Sequence, residues 1–162
     1  KLYYPDDTIQ HAGVVVGLGG VAAHVLCKLS RDAEGYMGRL RCVQEISAVT
    51  AACMMVKTSV FKAVGGFDEE LKVAFNDIDL CMKVRKYGVK IVFTPYAELY
   101  HYESKSRGME DTPEKQLRFS REVNCFRRKW ERELLKGDPY YNPNLTLNNT
   151  DCSLRKQEKN GD

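Results

Sequence analysis

One amphipathic helix with two acids in its first turn constrains this sequence more than any other feature. Leu80, Val84 and Tyr87 recur at i, i+4 and i+7, which puts them on one helical face. Gly88 follows them and is typical of the residue that ends a helix. The pattern therefore predicts a helix over residues 77–87 that packs one face against a core.

Extended segments follow this helix and lead to a histidine. Residues 90–94 (KIVFT) are rich in β-branched and aromatic side chains, which predicts a strand, and Pro95 ends it. Residues 97–102 form a further extended run that contains His101. A helix followed at once by strands indicates an α/β fold. It also allows an acid and a histidine from adjacent elements to meet in one reaction centre.

Length and composition indicate one globular domain. The chain has 162 residues, of which 43% are hydrophobic and 29% charged. Its net charge of +3 does not by itself indicate a nucleic-acid partner. No apolar run approaches the ~20 residues of a membrane span. Because the sequence starts at Lys1 without a methionine, in a predicted strand, we expect a fragment of a longer protein.

Asp77 and Asp79 support two interpretations. Acids in the first turn of a helix complement the helix dipole and cap free N–H groups, a structural role that contributes ~0.3–1 kcal/mol. Alternatively, one of these carboxylates faces a cleft from its rigid support and accepts a proton as a general base. The spacing alone leaves both interpretations open.

The same segment resembles part of an enzyme family. Residues 76–79 (NDID), together with His101, resemble the C-terminal half of family 2 inverting glycosyltransferases with the GT-A fold. The family usually has an acid where this chain has Asn76. The resemblance implies transfer of a sugar from a nucleoside diphosphate sugar to a glycan or lipid-linked acceptor, with inversion. It assigns Asp77 as the base, with Asp79 as the second choice.

A divalent metal, Mn²⁺ or Mg²⁺, is also implied by the resemblance. A late histidine can complete the coordination of the metal on the donor diphosphate, which assigns His101 as a ligand, and a nitrogen ligand suits Mn²⁺ better than Mg²⁺. The diphosphate itself would contact charged and hydroxyl groups of the next segment: Ser104, Lys105, Ser106 and Arg107. From the residues alone, a structural histidine and a solvated polar loop remain the alternatives.

Residues 50–56 and 65–69 resemble the segment beneath the acceptor site of this family. Residues 51–56 (AACMMV) predict a buried strand, whose small side chains would let a sugar ring approach the backbone. The polar groups nearby would hydrogen-bond to sugar hydroxyls. A packed strand followed by a solvated turn is the alternative. The acceptor-binding residues assigned in this way are Ala51, Ala52, Asp68, Glu69 and Asn76.

A long C-terminal helix is predicted to begin with Thr112 as its N-cap and Pro113 in its first turn, and to end before Gly137. Basic residues outnumber acidic ones on it, so a membrane- or partner-binding module without catalysis is an alternative function. Its apolar stripe consists of Phe119, Val123, Phe126, Trp130 and Leu134.

These patterns divide the chain into three parts. Residues 1–110 are predicted to be the acceptor-side half of a GT-A domain, residues 111–137 an amphipathic helix and residues 138–162 a polar tail. Residues 112–147, which include the segment 138–146, resemble the tail of bacterial members that build rhamnose-containing or related surface polysaccharides. We expect a cytoplasmic location, at the inner face of the membrane. Since the nucleotide-binding half is missing, we expect the isolated chain to be inactive.

Two other kinds of site are disfavoured by the sequence. Residues 17–22 (GLGGVA) fit the G-x-G-x-x-A dinucleotide fingerprint, but the acid expected about 20 residues further on is missing. The six cysteines show no C-x-x-C spacing, so we expect reduced thiols and no zinc site.

Overall fold

The structure, a computed structural model, describes residues 1–102 and 112–156 and has a mixed α/β fold. Its described helices are α1 (Thr58–Ala63), α2 (Asn76–Lys86), α3 (Pro113–Lys129) and α4 (Glu131–Lys136). Its described strands are β1 (Leu2–Tyr3), β2 (Ile9–His11), β3 (Val14–Val16), β4 (Ala22–His24), β5 (Gln44–Glu45), β6 (Val92–Phe93) and β7 (Leu99–Tyr100).

Within the described ranges, these strands form three small sheets. In the first sheet, β1 lies between β2, which is antiparallel to it, and β7, which is parallel to it. β3 pairs with β4, and β5 pairs with β6, both antiparallel. The α/β class expected from the sequence is therefore confirmed, whereas the single mixed sheet of a GT-A half stays a prediction.

The local predictions for the helices agree with the structure. The helix expected over 77–87 is α2, and the one expected from Thr112 is α3. The Thr112 hydroxyl accepts a hydrogen bond from the backbone N–H of Lys115 at 3.4 Å, which is the predicted N-cap. The long helix is interrupted at Trp130, where the backbone leaves helical geometry and α4 begins.

The strand β3 divides the core into two apolar clusters. Val15 points into a cluster with Ile9 and Leu40, and also with residues from the end of the chain. Val14 and Val16 point the other way, into a cluster formed with α2 and α3. The alternation of side chains along a strand explains why three consecutive valines are all buried.

The apolar stripe of the long helix is buried at its centre and exposed at its start. Phe126 and Trp130 are almost fully buried, whereas Phe119 is 42% exposed. The ring of Phe75, just before α2, lies 5.3 Å from the ring of Phe126 and 5.8 Å from that of Phe119. The stripe therefore packs α3 against the start of α2.

The buried strand predicted over 51–56 is wrong. Ala51–Cys53 form a 3₁₀ turn with exposed side chains, and Met55 is 99% exposed. The hydroxyl of Thr50 accepts a hydrogen bond from the N–H of Ala52 at 3.4 Å and so starts the turn. A short apolar run does not distinguish a strand from a turn whose apolar side chains line a cleft.

The dinucleotide fingerprint is also excluded by local geometry. A phosphate-binding turn of that type leads from a strand into a helix. Here residues 17–22 instead connect β3 to its antiparallel partner β4 through a 3₁₀ turn, Leu18–Gly20.

Residues 138–156, the described part of the predicted polar tail, contact the core through a few buried side chains. Tyr141, Leu145 and Cys152 are buried in the first cluster. The carboxylate of Asp138 accepts a hydrogen bond from the N–H of Val16 at 2.8 Å. A few well-placed apolar residues are enough to fix a polar segment when the rest of the protein supplies partners for its backbone.

A buried acid of α3 holds the loop that leads into α2. The Glu122 side chain is 3% exposed, and its carboxylate accepts hydrogen bonds from the N–H groups of Lys72 (3.1 Å), Val73 (3.2 Å) and Ala74 (2.7 Å). Arg118, one turn earlier, lies 3.8 Å from the same carboxylate. This contact fixes the chain immediately before residues 76–79.

We predict that Glu122→Ala lowers the free energy of unfolding by about 2 kcal/mol, because three N–H donors lose a charged acceptor. Urea unfolding followed by circular dichroism measures the change. Glu131→Ala, on an exposed side chain of α4, is the control and should change stability by less than about 0.5 kcal/mol. Equal losses in the two variants would contradict the role of Glu122.

Candidate functional site

The first turn of α2 carries the candidate base on a well-defined support. Phe75 precedes the helix in a left-handed conformation (φ 63°), which turns the chain sharply into α2. The side-chain oxygen of Asn76 accepts a hydrogen bond from the N–H of Asp77 at 2.7 Å. One carboxylate oxygen of Asp77 accepts from the N–H of Ile78 at 2.8 Å, so the capping role predicted for this acid is present.

The second carboxylate oxygen of Asp77 reaches across to the predicted acceptor segment. It accepts a hydrogen bond from the backbone N–H of Ala51 at 3.0 Å, and the Asp77 side chain is half-buried. Ala51 and Ala52 are exposed beside it. The structure therefore brings the predicted base and two predicted acceptor-binding residues together, although through a turn and not through the expected strand.

Asp79 has different surroundings, although it lies only two residues further along. It is fully buried and accepts a hydrogen bond from the indole N–H of Trp130 at 2.8 Å. Lys129 and Lys83 form ion pairs with it at 2.8 and 3.2 Å. A carboxylate with no exposed surface has no access to an acceptor, so these contacts favour Asp77 over Asp79 as the base.

Three of the predicted acceptor-binding residues line one shallow depression at the start of α2. Asp68, Glu69 and Asn76 surround a depression of about 420 Å³. Lys129 forms an ion pair with Asp68, and its hydrogen bond lowers the pKa of that carboxyl below its ordinary value. The Asp68 carboxylate is thus ionised near neutral pH and can accept hydrogen bonds from hydroxyl groups.

His101, the predicted metal ligand, follows β7 and is held on two sides. Its backbone N–H donates a hydrogen bond to the carbonyl of Tyr3 at 3.0 Å, which continues the pairing of β7 with β1. The side chain of Gln10 contacts both its imidazole and its carbonyl oxygen. The predicted diphosphate-binding residues, Ser104, Lys105, Ser106 and Arg107, lie outside the described residues.

The other two histidines, His11 and His24, were not predicted as site residues and lie between the two candidate groups. The N–H of Thr50 lies 3.4 Å from Nε2 of His11, and the Nδ1 atoms of His11 and His24 are 3.1 Å apart. His24 in turn lies 3.2 Å from the carbonyl oxygen of Gln10. Polar contacts, together with the backbone of Thr50-Ala51 and of Gln10, therefore link the turn beside Asp77 to His101.

Burial determines the charge of His11. Its pKa is lowered well below the ordinary value, mainly because desolvation penalises the charged imidazolium and also because His24 lies beside it. His11 is therefore neutral near pH 7. The sequence signal that could have revealed this site was the pair Gln10-His11 within the otherwise apolar run of β2 and β3, where a buried polar residue needs a partner.

An apolar cavity of about 560 Å³ opens beside the 3₁₀ turn Ala51–Cys53. Apolar side chains from the segment after the turn and from α2 and β6 line it, including Met54, Leu80 and Phe93. His11 and Lys1 contribute polar groups to its wall. The site therefore combines a carboxylate, a polar network and an apolar wall within one region of the surface.

The described residues do not by themselves form a complete site for a divalent metal. Among residues 1–102 and 112–156, no three His, Cys, Asp or Glu side chains converge on one point. His101 is nevertheless suited to be one ligand of a larger set, because Gln10 fixes its ring. Nitrogen ligands of this kind are usually oriented by such a second contact.

The chain is similar in sequence to curated proteins of several organisms. Over 155 residues, 95% of the chain, it is 58% identical to an uncharacterized protein (y4gI) of Sinorhizobium fredii, of which it covers 17%. Over its whole length it is 38% identical to the O-antigen biosynthesis protein RfbC of Myxococcus xanthus, of which it covers 12%. Over 62 residues, 38% of the chain, it is 36% identical to an N-acetylglucosaminyl-diphospho-decaprenol L-rhamnosyltransferase of Mycobacterium tuberculosis, of which it covers 20%.

The chain resembles glycosyltransferase-like proteins of polysaccharide biosynthesis. Two of these three relatives are named for O-antigen biosynthesis or rhamnosyl transfer, and the chain spans only 12–20% of the length of the three. No family model and no solved structure matches it. None of the helices described in 1–102 and 112–156 is long and apolar enough to cross a membrane.

We predict that Asp79→Ala lowers the free energy of unfolding by about 3 kcal/mol, because the partly buried Lys83 loses its carboxylate, Lys129 keeps only Asp68, and the buried indole N–H of Trp130 loses its acceptor. Asp77→Ala, in the same helical turn, is the matched control and should lose about 1 kcal/mol from its capping bonds. Urea unfolding of both variants tests this difference. A larger loss for Asp77→Ala would contradict the division of roles.

Proposed function

We propose that this chain is the acceptor-side part of a longer glycosyltransferase of family 2 with the GT-A fold. The enzyme would transfer a sugar, with inversion, from a nucleoside diphosphate sugar to a glycan or lipid-linked acceptor in bacterial polysaccharide biosynthesis. The observation that carries the proposal is the half-buried Asp77 carboxylate at the start of α2, next to the exposed turn at Ala51. The names of two relatives support the reaction class.

Asp77 would act as the general base. Inverting transfer is a single displacement, in which the acceptor hydroxyl loses a proton as its oxygen bonds to the anomeric carbon and the nucleoside diphosphate leaves. A carboxylate within hydrogen-bond reach of that hydroxyl accepts the proton. The hydrogen bonds from Ala51 and Ile78 hold the Asp77 carboxylate in place before the acceptor arrives. Positioning of this kind lowers the barrier.

The depression at Asp68, Glu69 and Asn76 would bind the acceptor sugar. Carboxylates and an amide accept hydrogen bonds from hydroxyl groups, and the amide also donates them. Asn76 directly precedes Asp77, so an acceptor held there would present a hydroxyl to the base. The separate apolar cavity beside Cys53, with Met54 and Leu80 in its wall, suits an acceptor that has an apolar portion.

His101 would be one ligand of Mn²⁺ or Mg²⁺, with the remaining ligands from the donor diphosphate and from another part of the protein. When bound, such a metal stabilises the negative charge of the leaving diphosphate. Ser104, Lys105, Ser106 and Arg107 remain proposed contacts of that diphosphate. We expect no turnover by the 162-residue chain alone, because the proposed nucleotide-binding half is required.

A binding module without catalysis is the second candidate. The observation that favours it is a row of exposed arginines on α3 and α4: Arg121, Arg127, Arg128 and Arg132. Such a face attracts anionic surfaces, including the inner face of a bacterial membrane, where we propose that the enzyme works. Binding to anionic vesicles that salt abolishes, without turnover of any nucleotide sugar, would favour this candidate.

The full-length protein that contains this chain provides the test. With a panel of nucleoside diphosphate sugars and Mn²⁺, we expect Asp77→Asn to lower kcat about 10²- to 10⁴-fold with nucleotide binding unchanged, because the base is lost. Asp32→Asn, which alters an exposed acid in the loop before Leu40, is the control and should keep wild-type kcat.

Each result has a defined meaning. Loss of turnover in Asp77→Asn alone supports the assignment of the base. Unchanged turnover returns Asp77 to a capping role and contradicts the proposed mechanism. If the wild-type protein turns over no donor with any acceptor, the proposed transferase activity is contradicted and the binding module without catalysis is favoured.

A further inference from the structure

Gln10 contacts His101 with both ends of its side-chain amide. Gln10 is 4% exposed and lies on β2, on the far side of β1 from β7. Its Nε2 lies 3.3 Å from the carbonyl oxygen of His101, and its Oε1 lies 2.8 Å from Nδ1 of the same residue. A buried amide that reaches across a strand to one residue with both polar atoms constrains that residue strongly.

These two contacts determine where the imidazole proton lies. A backbone carbonyl can only accept a hydrogen bond, so the NH₂ group of Gln10 must face the carbonyl of His101. The amide oxygen of Gln10 then faces Nδ1, and because this oxygen also can only accept, Nδ1 must carry a proton. In the neutral imidazole the lone pair is therefore on Nε2.

The backbone makes this arrangement rigid. The N–H of His101 donates to the carbonyl of Tyr3, and Tyr3 is fully buried. Leu2 of the same strand pairs with His11, the neighbour of Gln10. Gln10 lies where the pairing of β1 with β2 shifts register, between the pairs Leu2–His11 and Tyr3–Ile9. The pairs on either side hold its backbone beside β1, and its buried side chain reaches His101.

We propose that Gln10 is a positioning residue that holds neutral His101 with its proton on Nδ1, so that Nε2 is presented as a ligand for a divalent cation. The tautomer follows from the contacts alone, whereas the cation rests on the function proposed above. Metal-binding histidines commonly donate their other ring N–H to a fixed acceptor, which orients the ring and increases its basicity. Gln10 supplies such an acceptor.

The tautomer can be measured without any assay of activity. Long-range ¹H–¹⁵N correlation spectra of the 162-residue chain separate protonated from unprotonated ring nitrogens, and are recorded at alkaline pH, where free imidazole is neutral. His101→Gln identifies the signals of His101 among those of the three histidines. We expect Nδ1 of His101 to be protonated and Nε2 unprotonated, and the opposite pattern would overturn the proposal.

Variants of Gln10 then test the cause. Gln10→Met keeps the approximate size and removes both contacts, so the Nε2–H form should become the major one. Gln10→Glu restores an acceptor for Nδ1–H and should return the wild-type pattern. Gln44→Met is the matched control, because the Gln44 amide also contacts one residue, Arg39, with both ends. It should leave His101 unchanged.

A titration with Mn²⁺ in the presence of a nucleoside diphosphate tests the ligand role, since the function proposed above assigns further ligands to the donor diphosphate. Paramagnetic broadening of the His101 ring signals should require about 10- to 100-fold more Mn²⁺ in Gln10→Met than in wild type or Gln44→Met, since outer contacts of a metal ligand typically have that effect on affinity. Equal broadening in all three would overturn the proposal. Neither readout depends on sugar transfer. A negative transferase assay would therefore contradict the proposed function without contradicting the role of Gln10, and the reverse also holds.

Discussion

The arrangement of the helices depends on the contacts that the fully buried carboxylate of Asp79 makes with Trp130 and Lys129. This carboxylate joins the first turn of α2 to the junction of α3 and α4 through the indole of Trp130 and the ammonium group of Lys129. Lys129 also pairs with Asp68, so the same contact ties down the loop that precedes α2. A buried charge is tolerated only when it is paired and hydrogen-bonded, and these partners come from distant parts of the sequence.

A second buried acid completes this framework. Glu122 holds the N–H groups of residues 72–74, while Asp79 holds the helix that begins at residue 76. The segment between these two anchors contains Asn76 and Asp77. The candidate base Asp77 therefore lies between two chain segments that the buried carboxylates of Glu122 and Asp79 hold in place. Its own carboxylate contacts the exposed turn at Ala51.

The opposite side of the site is organised by strands. β1, β2 and β7 place Gln10 and His101 against each other, and the hairpin of β3 and β4 brings His24 to His11. The neutral, buried His11 lies on β2 directly after Gln10, and its Nε2 is 3.4 Å from the N–H of Thr50, which starts the turn that contacts Asp77. The two candidate groups therefore belong to one connected polar region, although they come from a helix start and a strand end.

Features that depend on neighbours in the sequence were predictable. The period of apolar residues identified α2, and a threonine followed by proline identified the start of α3, because helix formation and capping involve residues within one turn. The strand over 51–56 was predicted wrongly, and the polar composition after residue 138 gave no sign that Tyr141, Leu145 and Cys152 are buried. Both segments have partners that lie far away in the chain, such as Asp77 for Ala51 and Val16 for Asp138.

The sequence by itself determined that two acids stand at the start of one helix and that a histidine follows the next strands. Only the tertiary structure decided that Asp79 is a buried anchor and Asp77 a surface carboxylate. Side chains two positions apart on an α-helix project from nearly opposite sides, and the sequence does not say which side the rest of the protein covers. The packing of Trp130 and Lys129 against α2 made that choice, and the pairing of β2 and β7 with β1 placed Gln10 beside His101.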